Sequence, residues 1–231
     1  MEYNIIRNCL YNFISGSVKF FLSNFYDVEA EGLENIINDS EGGIIISNHD
    51  TPQEDWIYRK DKNGKLVPHT HSVDQLLISS YMARKQKFHA VVSKRHYENP
   101  LRGKLLEALQ QIPATNKGLI EKSKKYLDRN EYILIFPEGN SGQRSKIEID
   151  GSRKIYPGLG RLVTELNNPK IFPVKVKING KRDTLWPRFS NANIKFGEPF
   201  HYLDKFDNLF ECGLDYVEIS KLIMKEKVYK L

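Results

Sequence analysis

Gly43-Ile44-Ile45-Ile46-Ser47-Asn48-His49 is the stretch on which the fold turns. Its β-branched residues suit a pleated surface buried on both faces, so the run reads as an interior strand that ends at Asn48-His49. Tyr132-Ile133-Leu134-Ile135-Phe136 has the same character and breaks at Pro137-Glu138-Gly139-Asn140. Helical and strand patterns alternate around these two runs. Helices are expected over 74–85, 101–110, 117–129, 158–166 and 215–230. Strands are expected over 26–31, 88–93, 111–114 and 171–178, with an edge strand over 193–196. That alternation predicts an α/β fold with a mostly parallel central sheet flanked by helices.

Two segments stand apart from the alternation. Residues 3–24 space Ile5, Ile6, Leu10, Phe13, Ile14, Val18, Phe21 and Leu22 at helical intervals, which predicts an amphipathic N-terminal helix. The aromatic residues at its C-terminal end suit an interfacial, membrane-associating role. The expected division is therefore 1–27 for this helix and 28–231 for a single further domain. Asp61-Lys62-Asn63-Gly64-Lys65, between Trp56-Ile57-Tyr58 and Leu66-Val67, carries an Asn-Gly turn signal. It predicts a hairpin inserted at about 50–70.

Composition narrows the classes. The 231 residues include only two cysteines, Cys9 and Cys212, which excludes a disulfide framework and a Cys-rich zinc module and fits a reducing compartment. No apolar run approaches the ~20 residues of a spanning helix. The net charge of +6 is uneven. Residues 1–48 hold Arg7 and Lys19 against seven acids. Residues 84–125 hold eleven Lys/Arg against Glu98, Glu107 and Glu121, and residues 170–195 hold seven against Asp183. Two basic blocks point to an anionic partner: a phosphate-bearing substrate, a membrane surface or nucleic acid.

Ligands of open α/β sheets sit beyond the C-terminal strand ends, and both buried runs end in polar residues, His49 and Glu138. The ordered set Ser47-Asn48-His49, Asp74-Gln75-Leu76-Leu77, Val91-Val92-Ser93-Lys94, Phe136-Pro137-Glu138-Gly139, Pro157-Gly158 and Phe172-Pro173-Val174 resembles the glycerophospholipid acyltransferase family, which includes the 1-acylglycerol-3-phosphate acyltransferases. The resemblance runs from about Val28 to about Val176. It departs from the family in the first motif, Asn-His-x-x-x-x-Asp, because 24 residues separate His49 from Asp74 here. Three readings stand. His49 is the base with Asp74 its partner and the hairpin an excursion between them. Or His69 is the base, since His69-x-x-x-x-Asp74 keeps the family spacing. Or His49 pairs locally with Glu54 or Asp55. The first is preferred because Asn48-His49 sits where the strand ends.

The resemblance implies an O-acyltransferase. Its imidazole base takes a proton from an acceptor hydroxyl, which attacks the thioester of an acyl donor, acyl-CoA or acyl-carrier protein. No other cofactor and no metal is implied. Glu138, Gly139 and Asn140 would hold the acceptor, a lysophospholipid or glycerol phosphate. Asn116 stands where the family's second motif has a phosphate-binding Arg, and the Arg after the Gly of the third motif is displaced to Arg144. Arg144, Lys94, Arg95 and Lys117 are the cations available to replace them, and Arg and Lys are not equivalent in gripping phosphate. The implied setting is peripheral, on the cytoplasmic face of a membrane, with no nucleic-acid partner.

Two other classes are open. His69-Thr70-His71 with Asp74 offers ligands for a metal-dependent hydrolase. A nonenzymatic basic protein binding anionic lipid or nucleic acid through residues 84–125 is the other. His89 and His96 flank a strand and read as surface or half-buried.

Overall fold

The computed structural model describes residues 26–49, 57–60, 66–69, 73–82, 87–139, 154–179, 190–210 and 213–231. β1 (Tyr26–Glu31) leads through the one-turn α1 (Glu34–Ile37) to β2 (Gly43–Ser47). β3 (Ile57–Lys60) and β4 (Leu66–His69) precede α2 (Val73–Met82). Next come β5 (Phe88–Val92), a 3-10 turn (Lys94–His96), α3 (Pro100–Ala108), β6 (Ile112–Pro113), α4 (Asn116–Leu127) and β7 (Tyr132–Ile135). The chain continues with α5 (Gly158–Glu165), β8 (Lys170–Asn179), β9 (Ser190–Phe196), β10 (Phe200–His201) and α6 (Tyr202–Phe210). It ends with α7 (Tyr216–Ile223), which runs into a π-helical turn (Met224–Val228).

The main sheet has eight strands in the order β1-β9-β8-β2-β7-β5-β6, with β10 paired to the start of β8. β2 lies parallel between β7 and β8, matching Ile45 to Leu134 on one side and to Phe172 on the other. β5 is parallel to both β7 and β6. Only β9 and β10 run antiparallel to β8. The sheet is thus mixed and mostly parallel. β3 and β4 form a separate antiparallel ribbon, pairing Ile57 with His69 and Lys60 with Leu66.

Successive β2 side chains face opposite sides of the sheet, and both sides are covered. Ile44 and Ile46 enter a cluster with Ile133, Ile135, Leu159, Leu162, Ile223 and Met224. Ile45 joins Leu77, Ile78, Leu134, Phe172 and Phe196 on the other side. This two-sided burial is why β2 reads as an unbroken apolar run. Side-chain caps set the helix starts. Asn99 accepts from the Arg102 amide ahead of Pro100 at the head of α3, and Asp215 with Glu218 forms a capping box on α7.

Four expectations need correction. The 190–196 strand is not an edge; it lies between β1 and β8, and β1 takes the edge. Parallel β1 and antiparallel β8 both pair with it, a long-range choice that no local pattern encodes. α1, β10 and α6 were not anticipated, the first two being too short to show a period. The C-terminal helix changes hydrogen-bonding pattern at Met224 instead of running uniformly from 215 to 230. His89 is fully buried, with Nε2 2.7 Å from Glu131 Oε2 and its ring stacked on Tyr126 at 3.5 Å. A carboxylate partner makes an inward-facing strand histidine tolerable. The helix expected over 3–24 and the turn at 61–65 lie outside the described residues.

α5 and α7 cross at Gly160. A Cβ built there would stand 2.1 Å from the Tyr216 carbonyl oxygen, and the Gly160 amide donates to Ser220 Oγ at 2.8 Å. Gly160→Ala should therefore lower the unfolding free energy by about 1–3 kcal/mol, read from urea titration, because the clash is with backbone and cannot be relieved by a rotamer.

Candidate active site

The C-terminal ends of the neighbouring parallel strands β2 and β7 open on the same rim, where ligands of such sheets bind. Ser47 is the last residue of β2, and the ladder is carried one step further by a side chain. The Asn48 amide donates to the Val176 carbonyl at 2.9 Å, and its oxygen accepts from the Val176 N–H at 2.8 Å. The Asn48 side chain thereby stays buried while the main chain turns out of the sheet and presents His49.

His49 Nδ1 lies 2.5 Å from Asp74 Oδ2. A carboxylate only accepts, so Nδ1 carries the proton toward Asp74 and Nε2 is the ring's other nitrogen. Asp74 is buried in the first turn of α2, where the helix dipole favours a negative charge, and its Oδ1 accepts from the Gln75 N–H at 2.8 Å. The His49 ring stacks on Phe136 at 4.3 Å and 11°. Burial pulls the His49 pKa down. The Asp74 charge and hydrogen bond, the Glu138 charge and the Gly139 backbone together outweigh that effect, so the imidazole titrates above its ordinary 6.5.

Glu138 follows β7 in a tight turn closed by the Gly139 N–H donating to the Phe136 carbonyl at 3.0 Å. Its Oε2 accepts from the His49 main-chain N–H at 3.1 Å and its Oε1 from the Tyr229 hydroxyl at 2.7 Å. The side chain is buried. Gly139 has φ +81°, and a Cβ there would meet the Tyr156 ring at 2.5 Å, so both backbone conformation and space demand glycine.

Of the residues expected from sequence, the structure brings His49, Asp74, Glu138 and Gly139 together across the ends of β2 and β7 and the start of α2. His69 ends β4, its backbone paired with Ile57, and the Asp74 oxygen facing a histidine faces His49. Lys94 stands exposed on the 3-10 turn after β5, and Asn116 stands exposed at the start of α4, just past β6. Because β5 and β6 are parallel to β7, both positions lie along the same rim, roughly 10 Å and 15 Å from β2 at ~4.8 Å per strand. Asn140 and Arg144 lie outside the described residues. Sequence reasoning missed the structural part of Asn48, the stacking of Phe136 and the approach of Tyr229. Only Asn48 and Phe136 carried a signal, as parts of motifs read for their neighbours.

The comparisons agree with this architecture. Residues 66–177 match the family model described as Acyltransferase, a stretch that begins after His49 and includes Asp74 and Glu138. That stretch, just under half of the chain, is similar to acyltransferases. The fold of the chain is similar to that of the 1-acyl-sn-glycerophosphate (LPA) acyltransferase PlsC from Thermotoga maritima. That likeness has a TM-score of 0.58 and 16% identity and covers 98% of this chain and 80% of that one. No curated protein matches the chain in sequence.

An NMR titration tests the electrostatics directly. The His49 imidazole should titrate above 6.5, and Asp74→Asn should lower that pKa by removing the attracting charge. A value at or below 6.5 in the unsubstituted protein would overturn the assignment of Asp74 as its partner.

Proposed function

We propose that the chain moves a fatty acyl group from a thioester donor to a hydroxyl of a lysophospholipid or glycerol-phosphate-like acceptor. The observation that carries this reading is the His49–Asp74 pair, with Glu138 holding the His49 main chain. Nε2 takes the proton of the acceptor hydroxyl as its oxygen bonds to the thioester carbonyl carbon. Asp74 holds the tautomer and stabilises the imidazolium. The tetrahedral intermediate then expels the donor thiolate, and the imidazolium returns the proton to that sulfur. Glu138 and the Gly139 backbone bind the acceptor. Lys94, Asn116, Asn140 and Arg144 serve its phosphate side. The donor is acyl-CoA or acyl-carrier protein, and no other cofactor takes part.

The hydrolase alternative has less to stand on. Its His71 lies outside the described residues, while the Asp74 carboxylate is paired with the His49 ring.

A donor and acceptor screen with mass-spectrometric readout tests the reaction. His49→Ala should lower kcat by about 10²–10⁴-fold, the worth of a general base, while His69→Ala stays active. The reverse result would move the base to His69. Because the base must be neutral, kcat/KM should fall as pH drops through the raised pKa of His49, so the acid limb stands above pH 6.5.

The setting belongs to the same proposal: a peripheral enzyme on the cytoplasmic face of a membrane. No helix among the described residues is long and apolar enough to cross one. α3 supports surface contact, since Leu101 and Leu105 are 82% and 45% exposed and one turn apart. Lys94, Arg95, Arg102 and Lys104 stand exposed around them. Leu101→Ser with Leu105→Ser should weaken co-sedimentation with anionic liposomes, and deletion of 1–24 should weaken it further. Unchanged sedimentation of both variants would refute a membrane contact through these segments.

A further inference from the structure

Tyr229 reaches the site from the far end of the chain. α7 packs Ile219 and Ile223 into the core, and Met224 and Val228 continue that buried face. Residues five apart on an α-helix diverge, at about 100° per residue. Here the helix widens. The Tyr229 N–H donates to the Met224 carbonyl at 2.9 Å, an i→i+5 bond that swings Tyr229 back toward the side Met224 presents to the sheet. Such π turns are rare and recur at functional sites.

The swung segment is held at two further points. Lys175 Nζ, on β8, donates to the Tyr229 carbonyl at 2.9 Å. The Leu231 side chain lies so close over Gly197 that a Cβ there would meet its Cδ2 at 2.7 Å. With the main chain fixed, the phenol donates to Glu138 Oε1 at 2.7 Å. Glu138 is thereby bound at both oxygens, by Tyr229 on one and by the His49 main-chain N–H on the other.

We infer that Tyr229 is a positioning residue: its hydroxyl fixes the Glu138 carboxylate in the orientation that both anchors the His49 main chain and faces the acceptor. The inference rests on the proposed acceptor-binding role of Glu138. It needs only the hydroxyl, since the ring, 36% exposed, adds little to the core.

Tyr229→Phe keeps the ring and removes the donor. With purified full-length protein and lysophosphatidic acid as acceptor, the acceptor KM should rise about 3–10-fold. That is part of the roughly tenfold or greater worth of a hydrogen bond to a charged group. Donor KM and melting temperature should hold. The His49 amide, whose acceptor is Glu138, should exchange its hydrogen faster by a similar factor, a change that a purely structural role of Tyr229 would not single out. If Tyr229→Phe lowers the melting temperature, Lys175→Met, which releases the Tyr229 carbonyl and leaves the phenol in place, should produce the same two effects in weaker form. Unchanged His49 amide exchange in a folded Tyr229→Phe protein would overturn the inference. Faster exchange in a protein that transfers no acyl group to any acceptor would uphold the positioning and fault the substrate reading alone.

Discussion

Asn48 continues the β2–β8 ladder with its side chain where the backbone has stopped doing so, and the rest of the site depends on that substitution. A main chain that kept pairing beyond Ser47 would carry the next residue on within the sheet. By bonding both polar groups of Val176 through one amide, Asn48 satisfies the end of the ladder and frees the chain to leave the plane. The following imidazole then lands over Phe136, on the neighbouring strand end, within reach of α2. An amide is the group that can give and take here at once. A carboxylate at this position would confront the Val176 carbonyl with a second acceptor.

Three segments distant in sequence are tied at this point. His49 touches Asp74 through its ring and Glu138 through its backbone, and Glu138 is in turn held by Tyr229. The ring and main chain of the histidine are thus restrained independently. Restraint at both ends keeps the ring in one place without relying on a ligand to order it, as the proposed base would need in order to meet a hydroxyl at hydrogen-bond distance. Burial alone would depress the pKa of this histidine. Two carboxylates close by reverse that, so the same contacts that place the ring also raise its proton affinity.

The central architecture was legible from residues 43–49 and 132–140, because a strand covered on both faces leaves a composition that nothing else produces at that length. The helices expected from 101, 117 and 215 begin within two residues of the caps Asn99, Thr115 and Asp215, since caps are local chemistry. What escaped was set at long range. β9 reads as an edge by its composition, yet it is interior because β1, from the start of the described chain, pairs on its outer side. At the site, the ends of β2 and β7 announced His49 and Glu138. The choice between His49 and His69 was not decidable from spacing, which favoured His69; it is a matter of which ring the fold delivers to Asp74. Tyr229 gave no sign at all. Its arrival depends on one hydrogen bond skipping a residue, and no periodicity in Met224–Leu231 distinguishes that turn from a regular one.

The 24 residues between His49 and Asp74 have a meaning for how such a chain can change. Closing a flexible loop of 24 residues rather than four costs about 1.6 kcal/mol by the logarithmic scaling of loop entropy, and the internally paired β3–β4 ribbon reduces the freedom being lost. The two partners are held by elements on either side, β2 and α2, so the length between them is nearly neutral to their meeting. That makes this interval a place where segments can be gained, lost or exchanged with little penalty to the pair. Variation there falls between the two partners in sequence without touching either, a ready route for divergence around the pair.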